Sequence, residues 1–81
     1  MALPQNPDQF RQRADTAACF FGYNIDDPSW TASMNHLMDC IAYARRNPLA
    51  TPSDYMSPID IMFGRTVVDL IEEYEALQGS N

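Results

Sequence analysis

The sequence predicts an all-α fold: a small antiparallel bundle of three main helices, over about 7–21, 28–46 and 58–78, with a short helical turn near 52–56. Three observations predict it. First, four of the six prolines follow a capping residue at a candidate helix start: Asn6-Pro7, Asp27-Pro28, Thr51-Pro52 and Ser57-Pro58. A capping oxygen accepts from the orphan amides of a first turn, and proline suits the next position because its missing N–H would be unpaired there. Second, behind each of the three longer starts the apolar residues recur at three- and four-residue spacing. Third, no stretch alternates long enough to read as a strand, and there is no internal repeat or low-complexity tract.

The first helix carries the N3 glutamine of a capping box in Asn6-Pro7-Asp8-Gln9. Its stripe is Phe10, Ala14, Ala17, Ala18 and Phe21, and Gly22 is the expected stop. Residues 23–27 form a loop. In the second helix Trp30, Met34, Leu37, Ile41 and Ala44 share a face. Arg45 and Arg46 occupy its last turn, where cations suit the dipole, and Asn47-Pro48 ends it. Thr51-Pro52-Ser53-Asp54 starts the short turn. The third helix has a main stripe of Ile59, Phe63, Thr66, Leu70, Tyr74 and Leu77, widened by Val67 and Ile71, with Gly79 as its stop. Short connections between amphipathic helices imply antiparallel neighbours. The expected core is Phe10, Phe21, Trp30, Leu37, Ile41, Phe63, Leu70 and Tyr74. At 81 residues the chain is read as one domain over 1–81, with 1–6 and 79–81 as flexible ends.

Charge narrows the function. Eleven acids against five basic residues, all arginine, give a net charge of −6. Attraction to the phosphates of a nucleic acid or to an anionic membrane is therefore not expected. The charge is also lopsided. Asp8, Asp15, Asp26, Asp27 and Asp39 against Arg11, Arg13, Arg45 and Arg46 leave residues 1–53 at −1. Asp54, Asp60, Asp69, Glu72, Glu73 and Glu75 against Arg65 leave residues 54–81 at −5. The N-terminal residues lack a basic segment followed by an apolar one, and no apolar run approaches the ~18–20 residues of a membrane span. A cytoplasmic chain with Cys19 and Cys40 reduced is expected, and a disulfide between them is disfavoured because Cys19 faces away from its helix's stripe.

Chemistry-bearing motifs are sparse. His36, Asp39 and Cys40 stand at i, i+3 and i+4 on the second helix, within mutual reach. One straight helix rarely supplies a concave pocket, so the expectation is no catalytic residue and no enzyme. Two cysteines and one histidine do not make a four-ligand zinc site without carboxylates, and the three glycines are too dispersed to cradle a phosphate. No metal and no cofactor are expected.

Two binding readings remain. Asp69, Glu72, Glu73 and Glu75 crowd the C-terminal end of the third helix, where acids oppose the macrodipole. The loop residues Tyr23, Asp26 and Asp27 join an aromatic to acids, as interface anchors do. These residues are the candidate contacts of a small acidic helical inhibitor or adaptor. Its expected partner is a protein with a basic surface, a nucleic-acid-binding protein among the options. Toxin immunity proteins and phage-encoded inhibitors share this general character. The alternative is an assembly subunit, a homodimer in its simplest form. It would associate through a second apolar strip on the third helix: Ile61, Gly64, Val68 and Ile71.

Overall fold

Each helix begins where a capping residue meets a proline. The structure, a computed structural model, describes residues 6–79 and contains four helices: α1 (Pro7–Phe20), α2 (Pro28–Arg46), α3 (Pro52–Tyr55) and α4 (Pro58–Gly79). About 80% of the described residues are helical, and none of them forms a strand. Asn6 Oδ1 accepts from the amide of Gln9, and Asp27 Oδ1 accepts from that of Ser29. Ser57 and Asp60 make a reciprocal box at the start of α4. The Asp60 amide donates to Ser57 Oγ, and the Ser57 amide donates to Asp60 Oδ2. Asp54 accepts from the Thr51 amide in the same way ahead of α3.

The helix ends show where expectation and structure part. α1 stops at Phe20 and Phe21 is its C-cap. Gly22 then takes φ +87°, the left-handed conformation that favours glycine. The Gly22 amide donates to the Cys19 carbonyl and the Tyr23 amide to the Ala18 carbonyl, the paired bonds of a Schellman motif. Gly79, read from the sequence as the stop after the third long helix, is instead the last residue of α4. Of the residues expected as ends, Asn6 is the N-cap of α1 and Gly79 the last residue of α4; residues 1–5 and 80–81 lie outside the described residues.

α1 and α2 run antiparallel. Arg11 Nη1 donates to Asn35 Oδ1 at 3.2 Å, while four residues later on α1 Asp15 Oδ1 accepts from Trp30 Nε1 at 2.9 Å. Arg11 also pairs with Asp15 at 3.0 Å, so one carboxylate ties a helical turn to the neighbouring helix. α4 packs most extensively on α1. Ala14, Ala17 and Ala18 of α1 are fully buried, and their small side chains keep that face of α1 flat.

The core contains Phe10, Met34, Leu37, Cys40, Ile41, Met56, Val67, Val68 and Ile71 besides the alanines. Of the expected core, Phe10, Leu37 and Ile41 are inside. Trp30, Phe63, Leu70 and Tyr74 are half-buried against it, and Phe21 is half-buried at the end of α1. The principal correction concerns α4. Its buried face is Gly64, Val67, Val68 and Ile71. The expected main stripe lies to one side, with Ile59, Thr66 and Leu77 exposed. Apolar residues cover more than half of the circumference of α4, and periodicity alone does not locate the centre of so wide an arc. Side-chain size does. Gly64 admits Leu37 so closely that a Cβ there would lie 3.3 Å from Leu37 Cδ1.

Candidate functional site

The structure separates the expected binding residues into two places. Asp69, Glu72 and Glu73 are exposed on the later turns of α4. Glu75 differs from them: Arg13 donates to it through Nε and Nη2 at 2.8 and 2.6 Å. That two-point pair holds the Glu75 carboxyl below its ordinary pKa and raises the guanidinium's. Glu75 therefore fastens α4 to α1 and is already engaged. Tyr74, between Glu73 and Glu75, stacks at 5.0 Å on Phe20.

Tyr23, Asp26 and Asp27 lie at the other place, the loop into α2. Tyr23 is exposed, and the Asp26 amide donates to Asn24 Oδ1. Asp27 Oδ1 accepts from both the amide and the hydroxyl of Ser29. The hydroxyl first and the amide second hold its carboxyl below the ordinary carboxylate value. Both Tyr23 and Asp27 line a surface depression of about 280 Å³ with Asn24, Ser29, Trp30, Ser33 and Phe63.

A second depression, of about 310 Å³, adjoins it. Ala32, Ser33, His36, Leu37, Ile59, Asp60 and Phe63 line it. Ser33 and Phe63 belong to both, so the two form one shallow groove between the first half of α2 and the first turns of α4. Trp30 and Phe63 meet edge to face at 6.0 Å across its floor. Beside it stand the most exposed apolar side chains of α4, Ile59 at 77% and Met62 at 68%. Asp27 marks one end and Asp60 the other, and no arginine lines either half.

Sequence reasoning overlooked Asp60, Ile59, Ser33 and the groove face of Phe63. Ile59, Met62 and Phe63 stand at i, i+3 and i+4 behind the Ser57-Pro58 start, a spacing that signals one shared face.

The histidine cluster is assembled differently from expectation. His36 Nε2 bonds Asp60 Oδ2 on α4 at 3.0 Å, so its partner is Asp60 and not Asp39. Cys40 Sγ lies 3.8 Å from the same nitrogen. Asp60 is held below its ordinary pKa, first by the Ser57 amide and then by His36. A bond to an ionised carboxylate places the proton on Nε2, which leaves that nitrogen no lone pair for the thiol. Burial first, then Asp60 and Asp39, push the Cys40 thiol up. A cysteine nucleophile needs the reverse of both conditions. Among the described residues no group of three or more metal-binding side chains converges, and no helix is long and apolar enough to cross a membrane. Both cysteines are free, Cys19 exposed and Cys40 buried.

The expected oligomer strip is not a surface. Gly64 and Ile71 are buried, Val68 is 8% exposed, and Ile61 is half-buried against the core. A Cβ at Gly64 would meet Leu37 Cδ1 at 3.3 Å and Met56 Cε at 3.8 Å. Comparison with known protein-family models, curated proteins and solved structures returned no match to this chain.

Proposed function

We propose that the chain is a non-enzymatic interaction module, a small acidic helical inhibitor or adaptor. It binds a basic site on a larger protein, of the kind that nucleic-acid-binding proteins present. One observation carries this reading: Asp69, Glu72 and Glu73 stand exposed together on the second half of α4, and no basic residue follows Arg65 before the helix ends. Asp69 stands three and four residues before Glu72 and Glu73, and like charges at that spacing destabilise a helix, so helix stability does not account for them. A basic partner does, and a charge of −6 speeds encounter with it at low salt.

The test is capture of partners from the source lysate at low and high salt, with wild type and with Glu72→Arg/Glu73→Arg. Glu75 is left alone because it holds Arg13. The expected result is a stoichiometric, salt-sensitive basic protein retained by wild type and lost by the variant, with helicity unchanged. Equal retention by both proteins overturns the reading.

A further inference from the structure

The groove between α2 and α4 gives that reading a more specific contact. We infer that it is the docking site for a cationic amphipathic helix of a partner protein, with apolar anchors against Phe63 and basic residues at Asp27 and Asp60. The inference rests on the interaction-module reading and adds where and how the partner sits.

Three features define the occupant. The floor is apolar and partly aromatic: Trp30, Leu37 and Phe63, with Ile59 standing at its edge. Aromatic centres of this kind dominate the energetics of protein interfaces. Each half of the groove, about 280 and 310 Å³, lies close to the ~300 Å³ lower end of small-molecule sites and admits a single side chain. From Trp30 to Leu37 the α2 wall rises about 10 Å at 1.5 Å per residue, the length of two helical turns. Anchors at i, i+4 and i+7 of a partner helix match that length.

Charge selects the sign. Asp27 and Asp60 carry the acidic groups at the two ends, and hydrogen bonding lowers the pKa of both carboxyls. His36 faces Asp60, and Cys40 lies behind it. The groove holds no arginine and the chain no lysine, and the one basic side chain in the groove, His36, is bonded to Asp60. A cationic helix gains at both ends.

Ile59 separates this site from general attraction to an acidic protein. It is the second residue of α4, where a glutamate suits the helix dipole. Ile59→Glu therefore preserves the fold and makes the chain more negative. Bulk charge makes a basic peptide bind this variant more tightly, whereas the groove makes it bind more weakly.

The probe is an 18-residue peptide of lysine with leucines at i, i+4 and i+7, beside a control with every leucine replaced by serine. Titrations follow ¹⁵N amide shifts and the fluorescence of Trp30, the only tryptophan. The expected result is shifts at Ser33, His36, Ile59 and Asp60, with at least about tenfold weaker binding by Ile59→Glu, the size of an anchor loss. The serine control leaves these amides unmoved. Shifts confined to Asp69, Glu72 and Glu73, with Ile59→Glu binding as well as wild type, overturn the docking site and leave the acidic-module reading standing. Absence of saturable binding by both peptides at low salt overturns both. Concentration-dependent shifts of the groove amides without peptide identify a second copy as the occupant and overturn the assignment.

Discussion

Two isoleucines on one helix test the architecture directly. Ile71 is 2% exposed and lies in the core, whereas Ile59 is 77% exposed. Truncating a buried isoleucine to alanine costs about 2–5 kcal/mol, and Ile→Val about 0.5–1.5. A domain of this size has only about 3–5 kcal/mol to lose. Ile71→Ala thus removes most or all of the stability, and Ile71→Val is the variant to measure. With a urea slope near 1 kcal/mol/M for a small chain, Ile71→Val lowers the midpoint by about 0.5–1.5 M. Ile59→Ala stays within about 0.5 kcal/mol of wild type, as surface changes do, and moves the midpoint by less than about 0.5 M. Urea titrations followed by circular dichroism and by Trp30 fluorescence report both. If Ile59→Ala costs more than Ile71→Val, the buried face of α4 is the Ile59–Phe63–Leu70 stripe, and the packing described above is wrong.

Three further outcomes are expected. Gly22→Ala forces a Cβ into the left-handed region and costs about 1–2 kcal/mol; thermal melts should show a fall of roughly 4–8 °C per kcal/mol, and an unchanged midpoint removes the Schellman ending of α1. Asp27, Asp60 and Glu75 have folded-state pKa values below their unfolded ones, so their stabilisation is full above the ordinary carboxylate range and disappears as pH falls through the lowered values. Asp60→Asn should flatten the stability profile below about pH 5, the acid side of that range, and a profile unchanged from wild type refutes its charged partnership. A disulfide-exchange reagent at neutral pH should modify one thiol quickly, the exposed Cys19, and reach buried Cys40 only as fast as the bundle opens; two equally fast thiols contradict the packing of Cys40.

Helix starts were legible because capping is local. Asn6, Asp27, Thr51 and Ser57 act within three residues of themselves, and each pairs with a proline whose backbone is preset. α2 was legible down to its face because its polar residues leave only one apolar line. α4 was not. Ile59, Ile61, Met62, Phe63, Val67, Val68, Leu70 and Ile71 offer two acceptable lines, and the choice between them depends on α1 and α2. Leu37 of α2 fits against Gly64, and the buried alanines leave α1 a flat face, so the side of α4 centred on Gly64 and the valines is the one that is buried. Gly64, Val68 and Ile71 of the expected oligomer face are thus buried, and Ile59 and Phe63 of the expected core stripe line the groove.

The same distinction governs the binding surface. Asp69, Glu72 and Glu73 were found because a run of like charge is a property of consecutive residues. Even there, sequence alone did not separate Glu75, which is committed to Arg13 across 62 positions. The groove joins residues 23–37 to residues 59–63, and no spacing rule links those segments. Asp60 shows why such a site escapes notice. It reads as an ordinary N3 acid, and it serves as one, accepting from the Ser57 amide. Folding then brings His36 to the same carboxylate and sets Ile59 and Phe63 on either side of the groove wall. Asp27 repeats the pattern as the cap of α2. Both acids at the ends of the groove thus serve helix starts first, Asp27 as the cap of α2 and Asp60 as the third residue of α4, held in place by the backbone amides they satisfy. A cation approaching either one meets a carboxylate whose position is already fixed, so little side-chain entropy is lost on binding.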